Sequence, residues 1–300
     1  MKIIKKLYRE ENKTYMEKKI EEFIKSYVLE NERVLILVSG GIDSDVVARL
    51  CYKALGKDRI KLLFVKETET EARFVKNVKN LAEDLEVPLT IVPFEGKSME
   101  FIKILEQAEN EPIFNSRLIL DPAKAKCSMR SAIISSYQDK GFIIAGCTNL
   151  TEYELGFFMT FGDNLAHFKP IEHLYKTEVI QLAKEIGTRR EVIEQPATSG
   201  FWRKQEDLED IAFWIFNQGP IMKARKFSKE EKKEIFKIKD QLTWKKIDNC
   251  LKGLRNKETI EEIAKETDLS TKIIEGIIQI TKKAKQYRNR EIMVSMRNEK

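Results

Sequence analysis

The sequence predicts an α/β protein with a doubly wound parallel sheet and a C-terminal helical extension. Short apolar segments alternate with amphipathic segments through the first half of the chain, which is typical of strands alternating with helices. The apolar segments are continuous and rich in branched residues, as in strands buried on both faces of a parallel sheet. After about residue 228 these segments stop and helical periodicity alone remains.

The elements of the sheet follow in order. An amphipathic helix is predicted over 14–30, before the first strand. Strands are predicted over 33–38, 60–65, 89–94 and 141–146. The helices between them are predicted over 45–55, near 70–85 and over 128–140.

The second half of the chain is predicted to be helical. Segment 196–227 mixes small, polar and aromatic residues and is interpreted as a mobile loop leading into a short helix. Four further helices, with Ser or Thr at plausible starts, are predicted over 228–241, 243–254, 259–266 and 270–286. We therefore divide the chain into an α/β domain, 1–227, and a helical segment, 228–300, that packs on the same domain.

Composition excludes several classes of protein. The 300 residues carry 54 Lys and Arg against 48 Asp and Glu, a net charge of +6, which suits phosphate-bearing ligands as well as nucleic acid. None of the four cysteines forms a CxxC pair, so a zinc knuckle is not expected. The chain shows no secretory start and no apolar run near the ~18 residues of a membrane helix. We expect a cytoplasmic protein with no membrane partner.

A glycine-rich loop lies between the first predicted strand and the helix after it. It reads SGGIDS at 39–44. Glycines let backbone amides approach phosphate oxygens closely, and the helix N-terminus adds a favourable dipole. Asp43 is acidic inside this anion site, which indicates a cation such as Mg²⁺ between it and the phosphates. The chain contains no Walker A motif, GxxxxGK[ST].

The loop resembles the pyrophosphate loop, SGGxDS, of the N-type ATP pyrophosphatases. These enzymes include NAD synthetase, GMP synthetase, asparagine synthetase and several tRNA-thiolating enzymes. They hold the β,γ-pyrophosphate of ATP as the leaving group while the α-phosphate is attacked. The resemblance implies an adenine nucleotide alpha-hydrolase-like fold, with ATP as a substrate and Mg²⁺ as cofactor.

Further motifs resemble one branch, the NAD synthetase family, over about residues 14–290. They are GCTNLTE at 146–152, LGFF at 155–158, FGD at 161–163, and LYKTEV at 174–179. TSGFW at 198–202 is similar to the mobile loop of that family, and 247–270 is similar to its C-terminal helices. The resemblance implies an ATP-dependent ligase that adenylates an acceptor, expected to be a carboxylate, and transfers ammonia to it. It also implies a homodimer.

The resemblance assigns roles to individual positions. Asp43 and Glu152 match the carboxylates that hold Mg²⁺, and Lys176 matches the lysine that reaches the ATP phosphates. These three are the expected catalytic residues. The expected ATP-binding residues are Leu37, Val38, Ser39, Gly40, Gly41, Ile42, Asp43, Ser44, Cys147, Lys176 and Thr198.

The acceptor side departs from the family pattern. Where the family places charged or polar contacts to deamido-NAD, this chain has Lys126, Arg130, Thr160, His167, Gln286 and Tyr287. A site that pairs polar groups of its substrate discriminates strongly when those partners change. We therefore expect a small-molecule acceptor other than deamido-NAD. The alternative is a genuine ammonia-dependent NAD synthetase. Ammonia is expected to arrive free or from a separate glutaminase subunit.

Two alternative hypotheses assign the chain to other classes of protein. Segment 259–280 also resembles a helix-turn-helix, but its second helix offers mainly Lys272 and Glu275 rather than the Arg, Asn or Gln typical of base readout. Nucleic acid is therefore not an expected partner. Sulfur transfer through Cys127 or Cys147 is the other alternative, disfavoured because neither a CxxC pair nor an RNA-binding appendage is visible.

Overall fold

A sheet of four parallel strands forms the centre of the protein. The computed structural model describes residues 2–200, 202–221 and 225–287. In chain order the strands are β1 (Arg33–Leu37), β2 (Ile60–Lys66), β3 (Leu89–Pro93) and β4 (Phe142–Ala145). They lie in the order β3-β2-β1-β4, and all neighbouring strands are parallel. The predicted fold class is confirmed.

Helices precede, connect and follow the strands. Those before β4 are α1 (Lys2–Tyr27), α2 (Ile42–Leu55), α3 (Ala72–Leu85), α4 (Lys97–Ala108) and α5 (Leu120–Gln138). Those after β4 are α6 (Leu150–Leu155), α7 (Lys176–Glu185), α8 (Arg190–Glu194), α9 (Asp207–Phe216), α10 (Lys229–Lys239), α11 (Trp244–Arg255), α12 (Ile260–Thr267) and α13 (Thr271–Tyr287). None of the helices described is long and apolar enough to span a membrane.

The strands match the sequence prediction to within a residue or two, whereas some helices differ. Helix α5 begins at Leu120, eight positions before the predicted start at 128. Pro122 lies in its first turn, where the missing amide costs nothing, so the proline does not prevent the helix. Helix α4 was not predicted, and most of its apolar residues, including Met99, Phe101 and Ile104, are exposed.

The order of the strands creates a switch point beside β1. The chain moves from β1 through α2 to β2 and through α3 to β3, then crosses back to place β4 on the other side of β1. Helices α2, α3 and α7 share one core with the sheet, while α5 packs on the opposite face through Ile133 and Ile134. Ligands of such sheets bind at the carboxyl ends of the strands where the direction reverses. Both the SGGIDS loop and GCTNLTE begin there.

A second apolar core joins the helical segment to the rest of the chain. It combines Leu150, Leu155 and Ile211 with buried residues of α10 to α13. A Cβ on Gly276 would lie 2.6 Å from Ile215 Cγ2, so α13 crosses α9 closely. The apolar face of α13 is therefore used within the protein, which favours the interpretation of 259–280 as a core element rather than a DNA reader.

Candidate active site

The loop between β1 and α2 is held in shape by its own serines. The backbone amide of Ser39 donates to Ser44 Oγ at 3.1 Å, and the amide of Gly41 donates to Ser39 Oγ at 3.2 Å. Ser44 Oγ donates in turn to the Gly41 carbonyl at 3.1 Å. The two hydroxyls thus fix the curvature that brings backbone amides to the N-terminus of α2, where an anion is stabilised.

Gly40 is required by the geometry of this loop. Its φ is +79°, and a Cβ at this position would lie 2.7 Å from the carbonyl oxygen of Phe74 on α3. Its own carbonyl accepts hydrogen bonds from Asn77 Nδ2 at 3.0 Å and from Gln195 Nε2 at 2.8 Å. The loop is therefore clamped from α3 on one side and from the segment after α8 on the other.

Lys176 lies between the two predicted metal-binding carboxylates. Its Nζ donates to Asp43 Oδ2 and lies 3.8 Å from Glu152 Oε1. Asn149 Nδ2 donates to the other oxygen of Asp43 at 2.9 Å. Burial alone would lower the pKa of Lys176, but the two carboxylates outweigh burial and hold the pKa above its ordinary value. The structure thus places three residues from distant parts of the sequence in direct contact.

Glu152 is held by the start of its own helix. Asn149 Oδ1 accepts from the Glu152 amide at 3.0 Å, and Glu152 Oε2 accepts from the Asn149 amide at 3.2 Å, which is a capping box. The other carboxylate oxygen faces Lys176. Burial and the nearby charge of Asp43 raise the pKa of Glu152 to about 8. One carboxylate oxygen of Glu152 therefore holds the start of α6, and the other faces the predicted catalytic lysine.

Residues of 196–200 and 202–207 form one wall of the site. Ala197, Thr198 and Trp202 line the same cavity as Lys176. Asp207, at the start of α9, is buried and accepts from Ser199 Oγ at 2.9 Å. Burial raises the pKa of Asp207, and the charge of Lys176 opposes that effect. A third carboxylate therefore faces the centre formed by Asp43, Glu152 and Lys176.

A cavity of about 750 Å³ opens at the carboxyl ends of β1, β2 and β4. Gly40 apart, all the predicted ATP-binding residues line it: Leu37, Val38, Ser39, Gly41, Ile42, Asp43, Ser44, Cys147, Lys176 and Thr198. The Gly40 carbonyl points instead to Asn77 and Gln195. Aromatic side chains form another part of the wall, including Phe157, Phe158, Phe213, Trp214 and Phe227.

The residues predicted to bind the acceptor are only partly brought together. Arg130 lines the cavity. Lys126 lies one turn earlier on α5 and is buried. Burial lowers the pKa of Lys126, and the charge of Glu67 opposes part of that decrease. Thr160 lies outside the cavity lining. Gln286 is exposed on the last turn of α13, and the side chain of Tyr287 lies outside the described part of the chain.

His167 also lies outside the cavity lining, and its ring has a local use. The residue is exposed, and Nδ1 accepts from the backbone amide of Ile144 at 2.9 Å. Strand β4 is at the edge of the sheet, so its outward amide needs a partner from elsewhere. The position predicted for acceptor binding is thus occupied by a residue that completes the edge of the sheet.

Sequence reasoning missed several residues of the site. Trp244, at the start of α11, lines the cavity with its ring centroid 5.5 Å from Lys176 Nζ. Glu67, at the end of β2, also lines the cavity; it is buried, and within the described part of the chain neither of its carboxylate oxygens has a hydrogen-bond partner. Burial raises the pKa of Glu67, opposed by Arg130 and Lys126. Its position directly after a predicted buried strand was the available signal.

The donor set suits Mg²⁺ bound together with phosphates. Among the residues described, no group of three or more His, Cys, Asp or Glu is arranged to hold a metal alone. Mg²⁺ in nucleotide sites is commonly held by one or two carboxylates plus substrate phosphates and water. Asp43 and Glu152 supply such a pair beside the phosphate loop.

Fold and site together define a nucleotide-binding α/β protein with an anion loop, two carboxylates and a buried lysine at its switch point. The sequence model of the family described as NAD synthase matches residues 16–240. The chain belongs to the NAD synthase family. As a member it is an ATP-dependent ligase of the amide-forming class, as its motifs predict.

Curated relatives share most of their length with this chain. The NH(3)-dependent NAD(+) synthetase of Methanocaldococcus jannaschii is 30% identical over 268 residues, covering 88% of this chain and 90% of the relative. The NH(3)-dependent NAD(+) synthetase of Pyrococcus furiosus is 26% identical over 271 residues, with 90% of each covered. These relatives favour the alternative acceptor, deamido-NAD, and the expectation of a different acceptor finds no support among them.

Solved structures share the fold. The NMN synthetase from Francisella tularensis superposes with a TM-score of 0.71 at 18% identity, covering 94% of this chain and 98% of that one. The NH3-dependent NAD synthetase from Campylobacter jejuni gives 0.65 at 20% identity, with 94% and 99% covered. This chain covers only 44% of a glutamine-dependent NAD+ synthetase from Acinetobacter baumannii, at a TM-score of 0.53 and 18% identity.

Proposed function

We propose that this protein forms NAD⁺ from deamido-NAD, ATP and ammonia, releasing AMP and pyrophosphate. The observation that carries the proposal is the 30% identity to the Methanocaldococcus jannaschii NH(3)-dependent enzyme over nearly the whole of both chains. The geometry of the ATP side supports it, because Asp43, Glu152 and Lys176 converge beside the phosphate loop.

The first half-reaction joins the acceptor to AMP. A carboxylate oxygen of the acceptor attacks the α-phosphorus of ATP, and the bond to the β,γ-pyrophosphate breaks. The amides of the loop and the ammonium of Lys176 are placed to stabilise the charge that develops on the leaving pyrophosphate, the kind of electrostatic effect that dominates many enzymes. Mg²⁺, held by Asp43 and Glu152, would supply further positive charge against the phosphates.

The second half-reaction forms the amide. Ammonia attacks the acyl carbon of the adenylate, AMP leaves with the electron pair of the broken C–O bond, and one proton is released. The adenylate must be kept from water until ammonia arrives. The segment 196–207 and the aromatic wall of Phe157, Phe158 and Trp214 are placed to exclude water from this cavity.

Cationic side chains are available in the cavity for the phosphates of a dinucleotide acceptor, although, among the residues described, nine acidic residues line it against four basic ones. Arg130 and Arg225 line the cavity, and Lys124 lines it while donating to the Ile221 carbonyl at 2.8 Å. Cationic side chains of this kind hold phosphate groups through charge-assisted hydrogen bonds. Lys124 and Arg130 on α5 are therefore the cations that we assign to an acceptor phosphate, since Thr160 and His167 lie outside the lining.

The test is a panel of acceptors supplied with ATP, Mg²⁺ and ammonium. Deamido-NAD should give NAD⁺, AMP and pyrophosphate in equal amounts, measured by coupled NAD⁺ reduction and chromatography. Nicotinic acid mononucleotide is the matched acceptor, since it carries the same carboxylate without the second nucleotide. Efficient turnover of another acceptor, with none of deamido-NAD, would overturn the proposal and restore the expectation of a different acceptor. ADP and orthophosphate as products would overturn the ATP-cleaving mechanism itself.

Three further features belong to the proposal. Ammonia is taken up free or from a separate glutaminase subunit, in line with the NH(3)-dependent relatives. The protein acts as a homodimer. It works in the cytoplasm, where ATP is abundant.

A further inference from the structure

One face of α11 touches the first turn of α7, residue by residue. The face consists of Trp244, Asp248 and Lys252, whose spacing of four places them on one side of the helix. The ring of Trp244 lies over Lys176, the Asp248 carboxylate accepts from the Thr177 amide at 2.8 Å, and Lys252 Nζ lies 2.8 Å from Glu178 Oε1. Three consecutive residues of α7 are thus each held by one residue of α11.

Asp248 is the centre of this contact. It is completely buried, and both of its oxygens are used. Oδ2 accepts from the Thr177 amide, and Oδ1 accepts from Thr151 Oγ1 at 2.6 Å. Thr151 Oγ1 in turn accepts from the Lys176 amide at 2.9 Å. A carboxylate is favoured at these helix starts because amides there lack partners within the helix.

The two helix starts joined by Asp248 carry the catalytic side chains. Thr151 immediately precedes Glu152 on α6, and Thr177 immediately follows Lys176 on α7. The network therefore fixes the separation of Glu152 and Lys176 through the backbone. Displacements near 1 Å at such a centre are sufficient to cost about 10²-fold in rate.

We propose that Asp248, acting through Thr151, is a positioning residue for Lys176 and Glu152 in ATP cleavage. The helical segment after residue 228 is then a working part of the catalytic centre rather than an appendage. This inference rests on the roles proposed above for Lys176 and Glu152.

The chain offers a matched pair of substitutions. Thr151→Val removes a buried hydroxyl that donates to Asp248 and accepts from the Lys176 amide. Thr267→Val removes a buried hydroxyl that donates to the Ile263 carbonyl at 2.6 Å and accepts from the Leu269 amide at 3.3 Å, in α12 and outside the cavity lining. Both changes delete a buried hydroxyl that donates one hydrogen bond and accepts one from a backbone amide, although Thr151 donates to a carboxylate and Thr267 to a backbone carbonyl. A merely structural role of the hydroxyl would therefore give similar results in the two variants.

Turnover is measured with the acceptor that the panel identifies, at a temperature where circular dichroism shows every variant to be folded. Thr151→Val should lower kcat by about 10- to 100-fold, and Thr267→Val by less than about 2-fold, because only the first displaces the reacting groups. Thr151→Ser, which keeps the hydroxyl, should restore most of the lost kcat. Equal kcat in the two valine variants, or no recovery in Thr151→Ser, would overturn the proposal.

A second measurement keeps this test separate from the identity of the acceptor. Inorganic pyrophosphate with Mg²⁺ is titrated into each protein by calorimetry, since Lys176 is placed to bind this product whichever acceptor is used. Thr151→Val or, if that variant does not fold, Asp248→Asn should weaken pyrophosphate binding by about 10-fold, corresponding to about 1.4 kcal/mol. Unchanged binding in the folded variant would overturn the proposal, whereas a failure of deamido-NAD alone would overturn only the proposed function.

Discussion

A single residue of this site can hold the start of a helix and also face the centre proposed for catalysis. Glu152 completes the capping box of α6 with one oxygen and faces Lys176 with the other. His167 shows the opposite outcome, because its ring completes the sheet edge instead of facing the cavity. Sequence position alone does not separate these two outcomes, since each depends on where the neighbouring backbone leaves a polar group without a partner.

The double role of Glu152 makes a charge-specific prediction. Glu152→Gln keeps an oxygen that can accept from the Asn149 amide, so the helix start should survive. The loss of charge should reduce kcat for ATP cleavage by at least about 10²-fold, because the Mg²⁺ proposed to bind between this carboxylate and the phosphates loses a charged ligand. Pyrophosphate release measures this effect. Glu262→Gln is the control, since Glu262 makes the same capping box in α12 outside the cavity lining; near-normal turnover of Glu152→Gln would remove Glu152 from the metal site.

The cysteines give a second prediction at this scale. Burial raises the pKa of Cys51, Cys127 and Cys250 to about 12 and places the pKa of Cys147 well above its ordinary value. Because the thiolate is the reactive form, native protein at pH 8 should take up almost no iodoacetamide, as measured by intact mass. Unfolded protein should take up four groups, one for each cysteine. Rapid native labelling of Cys127 or Cys147 would revive the sulfur-transfer alternative.

Elements of secondary structure meet at the site through hydrogen bonds between side chains of one element and backbone groups of another. The SGGIDS loop is held against α3, so its shape depends on a neighbouring element as well as on its own glycines. Helices α6 and α7 start side by side because Thr151 accepts from the Lys176 amide. The site is therefore an intersection of the glycine-rich loop with two helix starts, and the first amides of α7 are already paired with Thr151 and Asp248.

A comparison of two glycines with the same φ distinguishes the effect of backbone strain on stability from the effect of the loop's shape on ATP binding. Gly40 and Gly56 both have φ +79°, but an added Cβ meets Phe74 only at Gly40 and nothing within 4 Å at Gly56. Both alanine variants should lose stability by about 1–3 kcal/mol, because a side chain is strained at positive φ. Only Gly40→Ala should also weaken ATP binding, by at least about 10-fold, because the loop must shift to clear Phe74. Calorimetric titration of ATP measures this, and equal ATP affinity in the two variants would contradict the assignment.

On the scale of the whole molecule, ion pairs connect helices that share no strand hydrogen bonds. Arg49 on α2 is buried between Asp45, at 2.7 Å, and Asp84 of α3, at 2.8 Å. Asp84 also receives two hydrogen bonds from Arg189, just before α8. The network joins three helices behind the phosphate loop and stabilises the face of the sheet that carries α2.

This network predicts a pH dependence of stability. The hydrogen bond from Arg189 lowers the pKa of Asp84, and Arg49 lowers it further against the effect of burial. Since the folded pKa lies below the unfolded value near 3.9, the stabilisation is present above about pH 4 and is lost as the pH falls through the folded pKa. Asp84→Asn should therefore lower the melting temperature by a few degrees at pH 7 and by much less near pH 3. Thermal unfolding across pH 3–7 measures this, and the same loss at both ends would refute the role of Asp84.

The sequence by itself determined the fold class, the position of each strand and the phosphate loop. Short continuous apolar runs rich in branched residues favour buried strands, and a glycine-rich loop between such a strand and a helix favours an anion site. It also predicted roles for Asp43, Glu152, Lys176 and Thr198, because the motifs that contain them resemble one family in order and spacing.

Only the tertiary structure decided which distant residues complete the site. Trp244 and Asp207 line the cavity, and Asp248 reaches the starts of α6 and α7, because α11 packs on α6 and α7 while α9 packs on α10 and α13. This arrangement is set by long-range burial of apolar faces. The same packing placed Thr160 and His167 outside the cavity although their sequence positions had indicated a ligand. Local patterns specify helices and strands through their own periodicity, whereas the meeting of two helix starts depends on contacts between segments about 70 to 100 residues apart.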